Sequence, residues 1–448
     1  MAYDNANGPA YATFFNQQGQ NINPTQNYTG TDTYSKLNNE LRISSPSGEK
    51  WHVTAGVFLE RQTDKIVADY SVPGLANAFS PAEVSTGGTA VPTCGDDVFC
   101  TRVYRVDRDY AGFADGSYDL LPNLTLDAGI RYFTTQNSLS GFSGTASRVL
   151  SPGSTPTYAT NCVIGTGGVS PCLLFGATTT QHGETHKVNL SWKVVPDKML
   201  YFTYSTGFRP GGINRLPGVA PYAADKLDNF ELGAKTQWFD RKLTINLAGF
   251  IENWHNMQFG LAPQGSDGVL ATYNAGESQI KGVEGNFNLH LAPMTLSASA
   301  TYIDAQLKTA FCNYNTDGSQ DCAPAGTRLP IQPHFKGNLT ERFDYTIASV
   351  KAWAQVTLNV QGSSRSYLLV SHITNQPFLP DTAGFGTVDL SLGGKFGGYT
   401  IEAFVQNLAD ERGALSINSI CVPAICGAYA REYPIKPQMF GLKLSARY

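Results

Sequence analysis

Asp228 to Gln258 reads DNFELGAKTQWFDRKLTINLAGFIENWHNMQ. In its second half Leu243, Ile245, Leu247 and Ile251 alternate with Thr244, Asn246, Ala248 and Glu252, and Phe250 is the one apolar misfit on the polar side. A period of two places these sets on opposite faces of a β-strand. Asp240-Arg241 separates this run from the strand before it, so the stretch reads as two long amphipathic strands joined by a tight turn. The pattern recurs. Leu124, Leu126, Ala128, Ile130 and Tyr132 oppose Thr125, Asp127, Gly129 and Arg131; Val350, Ala352, Ala354, Val356, Leu358 and Val360 oppose Lys351, Trp353, Gln355, Thr357, Asn359 and Gln361. A half-buried soluble sheet alternates in the same way, so alternation alone leaves the solvent on the apolar face undecided.

The connections decide it. Between Asp32 and Tyr448, tight turns at Pro46-Glu49, Leu120-Asn123, Val195-Lys198, Asp240-Arg241, Leu291-Met294, Asp344-Ser349 and Gly394-Gly397 alternate with long, polar, glycine-rich loops. One end of the strands is therefore plain and the other elaborate. A soluble sandwich has no reason to segregate its loops, whereas an outer-membrane barrel has short periplasmic turns and long extracellular loops. Strand parity then puts Pro196-Asp197 and Asp240-Arg241 on the periplasmic side and Gly167, Gly268 and Gly318 outside. The expected fold class is all-β: an antiparallel transmembrane β-barrel with about 15–16 strands, the last of these near Tyr11 to Gln17.

Composition agrees. Charged residues are 15% of the 448, against about 25% in soluble domains. No apolar run reaches the roughly eighteen residues of a spanning helix, and a net charge of -4 offers no footprint for nucleic acid. No linker divides the chain, so residues 32–448 are expected to form one barrel unit, with 1–31 an N-terminal loop or a further strand. The opening MAYDNANGPAYATFF has neither a charged leader nor a continuous apolar segment, which an exported protein requires; the expectation is a truncated piece of a longer precursor. Trp51, Trp192 and Trp238 with Phe239 lie near tight turns and Trp254 toward the far end of its strand, as interfacial girdles require, although core positions are the alternative.

The eight cysteines fall in the long loops as four close pairs: Cys94 with Cys100, Cys162 with Cys172, Cys312 with Cys322, Cys421 with Cys426. Intraloop disulfides in an oxidising compartment are expected, with metal binding or free thiols the alternatives. Asn313, Asn315, Asp317 and Gly318 have the opening spacing of a calcium loop, but Pro324 stands where the bidentate glutamate belongs. His182 and His186 read as solvated loop residues rather than metal ligands. No nucleophile elbow, phosphate loop or dinucleotide fingerprint occurs. The chain is thus expected not to be an enzyme and to need no metal or cofactor.

Six segments, in order, resemble the barrel domain of TonB-dependent outer-membrane receptors: LNNELRISSP from Leu37 with WHVTAGVFLE after the turn, LTLDAGIRYF from Leu124, YFTYSTGFRPGGIN from Tyr201, Asp228 to Gln258 itself, IKGVEGNFNLHL from Ile280, and FVQNLADE from Phe404. The chain ends on MFGLKLSARY, in which Phe440, Leu442, Leu444, Ala446 and Tyr448 resemble the terminal signature for outer-membrane insertion by the barrel assembly machinery. The resemblance implies energy-coupled uptake of a scarce nutrient, siderophore-type or similar, across the outer membrane of a Gram-negative bacterium. Its implied partners are membrane lipid, a small-molecule nutrient and, through an N-terminal plug, the TonB complex. Neither plug nor TonB-contacting segment is recognisable in the first thirty residues or so, and the family's barrels have 22 strands, so the chain is similar to the C-terminal part of such a barrel. The resemblance leaves the ligand-binding residues unknown. A passive channel and a soluble secreted binding protein are the rival readings.

Overall fold

The structure, a computed structural model, describes residues 2–3, 14–15, 21–22, 26–46, 48–71, 73, 85–86, 89–90, 97–145, 175–215, 219–261, 270–314, 318–418 and 431–446. Fifteen long strands dominate: β1 (Gln26–Ser44), β2 (Trp51–Ser71), β3 (Asp97–Leu121), β4 (Leu124–Thr145), β5 (Phe175–Val195), β6 (Lys198–Arg209), β7 (Asp225–Trp238), β8 (Leu243–His255), β9 (Ser278–Leu291), β10 (Met294–Leu307), β11 (Phe335–Ile347), β12 (Val350–Gln361), β13 (Phe385–Phe396), β14 (Tyr399–Gln406) and β15 (Met439–Ala446). With the two-residue strand Ala2–Tyr3 on the outer edge of β1, they form one sixteen-stranded antiparallel sheet in which sequence order is spatial order. Each connection is therefore a hairpin, and the seven tight turns all lie at one end. Among the described residues, no pairing joins β15 to β1 or to Ala2–Tyr3, so this sheet does not close on itself as a sixteen-stranded channel would.

The two faces differ as the alternation requires. Leu232, Leu247, Ile251, Val283, Leu392, Phe440, Leu442 and Leu444 are exposed on one face. Thr244, Asn246, Glu252 and their neighbours in register point to the other. Trp51, Tyr118, Trp192, Trp238 and Phe239 ring the short-turn end, with Lys198 Nζ 3.4 Å from the centroid of the Trp238 ring.

The apolar misfit at Phe250 has a steric explanation. Its ring lies across Gly282, directly opposite on β9, where any side chain would overlap it. The same arrangement recurs on the polar face at Phe113 over Gly56, Phe133 over Gly183, Tyr201 over Gly233, Trp353 over Gly393 and Phe404 over Gly441, each an opposed cross-strand pair. A ring laid on a glycine covers bare backbone and fills the missing side chain's place. These aromatics thus belong to the wall's register.

Three expectations need correction. β1 begins at Gln26, so a boundary between 31 and 32 falls inside a strand, because the outer-end backbone is already paired with β2 there. Phe14–Phe15, within the expected strand from Tyr11 to Gln17, pairs with Asn21–Ile22 in a separate small ladder; Ala2–Tyr3 takes the sixteenth position instead. The Asp240-Arg241 turn comprises residues 239–242, with Phe239, Asp240 and Arg241 all at positive φ.

Replacing Gly282 by valine should destabilise the sheet by about 1–3 kcal/mol, the cost of overpacking, and adding Phe250→Ala should recover part of it. Urea unfolding in detergent micelles checks this; an unchanged midpoint for Gly282→Val would show that the ring is not seated there.

Candidate functional site

The polar face and the long-loop end carry the chemistry. On β1 to β4 the polar face holds a lattice of paired charges. Lys36 meets Glu60 at 2.8 Å, Arg105 meets Asp107 at 2.8 Å, and Arg131 meets Asp109 at 2.7 Å while lying 5.0 Å from the Phe58 ring centroid. Farther round, Glu231, Glu252 and Glu284 stand on adjacent strands β7, β8 and β9, and Tyr201 donates to Glu231 at 2.6 Å. A wall of alternating short polar and charged groups can bind and release polar solutes without a deep apolar pocket. A depression of about 300 Å³ lies on the same face of β12 to β15, beside Asp389, Glu402 and Lys443.

The described residues of loop 210–224 bend onto this face. Asn137 Oδ1 accepts from the Ile213 amide at 2.9 Å while Asn137 Nδ2 donates to Asp107 at 2.6 Å; Gln181 Oε1 accepts from the Gly211 amide at 2.9 Å. Ile213 packs on buried Ile66, Val103 and Leu139. Gly211 and Gly212 let the backbone make this approach, because a side chain at either would overlap Tyr222. Asn214, 5% exposed, ties the loop to the next one: its Nδ2 donates to Thr272 O at 3.0 Å and its Oδ1 accepts from the Thr272 amide at 2.7 Å. At the loop's base Asp225, 2% exposed, is satisfied by Arg209 and by the Gln258 amide at 3.1 Å. A buried carboxylate persists only with such partners.

The described parts of the connections 256–277, 308–334 and 362–384 pack into a single cap. Gln258–Leu261 pairs with Ala271–Asn274, and Phe311–Tyr314 with Gln320–Ala323. Met257, Leu261, Ala275, Ala323, Leu329, Leu368 and Leu369 form a buried cluster with Ala305 and Leu307 of β10. Val370 N donates to Cys322 O at 3.0 Å, Ile331 N to Arg365 O at 2.8 Å, and the His372 amide to Asp321 Oδ1 at 2.9 Å. Burial in this cap, with the charge of Asp321 adding to it, raises the Tyr367 hydroxyl pKa above the ordinary tyrosine value.

The sequence-derived candidates fall as follows. Cys312 and Cys322 form a disulfide. Cys94, Cys162, Cys172, Cys421 and Cys426 lie outside the described residues. The expectation that no cysteine sits in a strand fails: Cys100 is in β3, and Cys312 and Cys322 oppose each other in the loop hairpin, because two of these loops carry regular ladders into the long-loop end. His182 and His186 are in β5, not a loop; they bond Thr134 and Tyr204 at 2.9 and 3.3 Å. Asn313 pairs with Asp321 in the hairpin, while Asn315 and Asp317 are outside the described residues. Phe440, Leu442 and Leu444 lie exposed on the apolar face of β15, with Ala446 at its end; Tyr448 is outside the described residues. Spacing alone does not show the inward course of loop 210–224; the paired glycines Gly211 and Gly212 are the available signal in the sequence.

Comparison with known proteins agrees with this architecture. The family model described as TonB dependent receptor-like, beta-barrel matches residues 2–408. Among solved structures, the ferric yersiniabactin uptake receptor FyuA from Yersinia pestis is 16% identical with a TM-score of 0.67, over 94% of this chain and 55% of that one. The ferric-catecholate import receptor Fiu from E. coli K12 is 18% identical with a TM-score of 0.60, over 95% and 55%. The copper transporter OprC is 14% identical with a TM-score of 0.61, over 94% and 57%. The chain thus spans little more than half the length of these structures.

Leu368→Ala, at a fully buried cap position, should cost about 2–5 kcal/mol of local stability. Hydrogen exchange should accelerate in amides of residues 320–334 and 364–382 and stay unchanged in β2 to β5. Exchange that rises evenly over the sheet would show that the cap is not a separate packing unit.

Proposed function

The chain belongs to the TonB-dependent receptor-like β-barrel family, and from that premise we propose that it is the wall of an outer-membrane receptor for energy-coupled uptake of a scarce nutrient, siderophore-type or similar. The observation that carries the reading is the pairing of one continuous apolar face with a charged, hydrogen-bonded opposite face onto which a long loop folds. In a bilayer the apolar face meets lipid and the polar face lines the lumen. The consolidated cap then stands outside the cell, where incoming solute arrives, and loop 210–224 narrows the passage beneath it.

The names of the structural neighbours, which are uptake receptors for ferric complexes and a copper transporter, support a scarce-metal nutrient as the cargo class. The uptake cycle needs a plug inside the wall and a segment that contacts TonB, so the work of this chain is to enclose, to select at the mouth and to seat the plug. Paired charges on the inner wall suit that role, since such pairs exchange for other polar contacts at small net cost. Phe440, Leu442, Leu444, Ala446 and Tyr448 serve as the insertion signature read by the barrel assembly machinery. Cys94 with Cys100, Cys162 with Cys172 and Cys421 with Cys426 close loops at the cell surface, as Cys312 and Cys322 close theirs.

Orientation tests the proposal. In the receptor assembled in intact cells, an epitope placed after Gly318 should be reached by antibody and one placed after Asp240 should not. Labelling of both, or of the Asp240 site alone, would overturn the topology and the uptake reading with it.

A further inference from the structure

The apolar face of β11 runs Phe335, Gly337, Leu339, Glu341, Phe343, Tyr345, Ile347. One carboxyl group stands at the centre of that row. Phe335 to Ile347 spans roughly 40 Å of strand at about 3.3 Å per residue, which a tilt of about 40° reduces to roughly 30 Å of membrane depth. Glu341 therefore lies near the middle of the apolar band, about 12 Å from either edge.

Its surroundings are apolar on every side. Leu296 of β10 and Val356 of β12 stand directly opposite, and the rung continues through Leu289 in one direction and through Leu390 and Val405 in the other. Glu341 is exposed and, among the described residues, has no hydrogen-bond or ion-pair partner. The adjacent Arg342 does not serve it, because that side chain points to the polar face, where it meets Asp344 at 2.9 Å and lies 4.7 Å from the Trp353 ring centroid. Two methylenes cannot carry the carboxyl group to water as a longer lysine or arginine stem would. Three strands separate β11 from the free edge at β15, so neither further wall strands nor anything inside the lumen can cover Glu341. A partner must come sideways through the bilayer.

We propose that Glu341 is the docking point for a second copy of this chain, with the two carboxyl groups paired across a two-fold axis along the membrane normal. A carboxyl group that keeps its proton is donor and acceptor at once, so it is self-complementary, as a two-fold contact requires. A second copy inserted in the same direction also presents its Glu341 at the same depth, a match that a foreign partner would have to reproduce. Apolar area gives no drive to association in lipid, where polar contacts and close packing of small residues supply it. Ala298, Ala300, Gly337 and Ala354 flank Glu341 on the same face and keep the approach low. The inference rests on the membrane-barrel reading above.

The test mixes donor- and acceptor-labelled copies of the full chain in phosphatidylcholine vesicles at low protein density, with flotation to score insertion and energy transfer to score association. Wild type and Glu341→Gln should associate, since a carboxamide also donates and accepts. Glu341→Leu should float as well as wild type and associate about tenfold less. Equal transfer in wild type and Glu341→Leu would overturn this site while leaving the barrel intact. Absent transfer in wild type, with Glu341 labelled by a hydrophobic carbodiimide, would show a carboxyl group left bare to lipid and overturn the pairing. Equally strong, Glu341-dependent transfer to an unrelated barrel would assign the site to a foreign partner and overturn it too. Failure of wild type to float beside an inserted control barrel would overturn the membrane reading and this proposal together.

Discussion

The unbroken antiparallel ladder from Ala2–Tyr3 to β15 is the constraint on which the rest depends. A sheet bathed in hydrocarbon must satisfy every backbone N–H and C=O within itself, since an unpaired group there costs several kcal/mol. That requirement forces neighbouring strands to be neighbours in sequence, which in turn sorts the connections into tight turns at one end and long loops at the other. It also fixes parity. With fifteen long strands, β1 and β15 both run from the long-loop end toward the short-turn end, so they are parallel. An antiparallel wall that includes both must place an odd number of strands between them.

Because backbone pairing supplies the cohesion, side chains are released for two different duties. On the apolar face they need only match lipid, and their exposure is the resting condition of the surface. On the other face they must tolerate water, and six of the aromatic residues found there are laid on a glycine of a neighbouring strand. Those rungs reconcile a polar surface with bulky rings, and they resist a slip of register, since a one-residue shift would set the ring against a side chain and turn every apolar group inward.

The long-loop end is built differently. Its cap is a small apolar core of the kind a soluble protein uses, with Leu368, Leu307 and Met257 buried together and hydrogen bonds binding separate loops. Loop 210–224 couples that cap to the polar face through Asn214 on one side and Asn137 on the other. A displacement of either loop must therefore be felt by the other.

By itself the sequence determined the strands, their order and the faces they present, because each of these follows from local signals: period two in Leu243 to Ile251, turn residues at Pro196-Asp197, and loop length. Aromatic residues such as Phe250 looked like errors because alternation carries no information about what lies across the ladder, and the opposing Gly282 is some thirty residues away. Nor could spacing show that Met257, Leu307 and Leu368 meet, since they lie far apart in sequence, on two connections and at the end of β10. Cys100 reads as a loop residue because β3 runs on into the long-loop end, where alternation fades while backbone pairing continues. Tertiary structure alone decided the inward fold of loop 210–224 and the apolar neighbours that enclose Glu341. Both depend on which residues the register brings face to face, and register is set by the whole sheet.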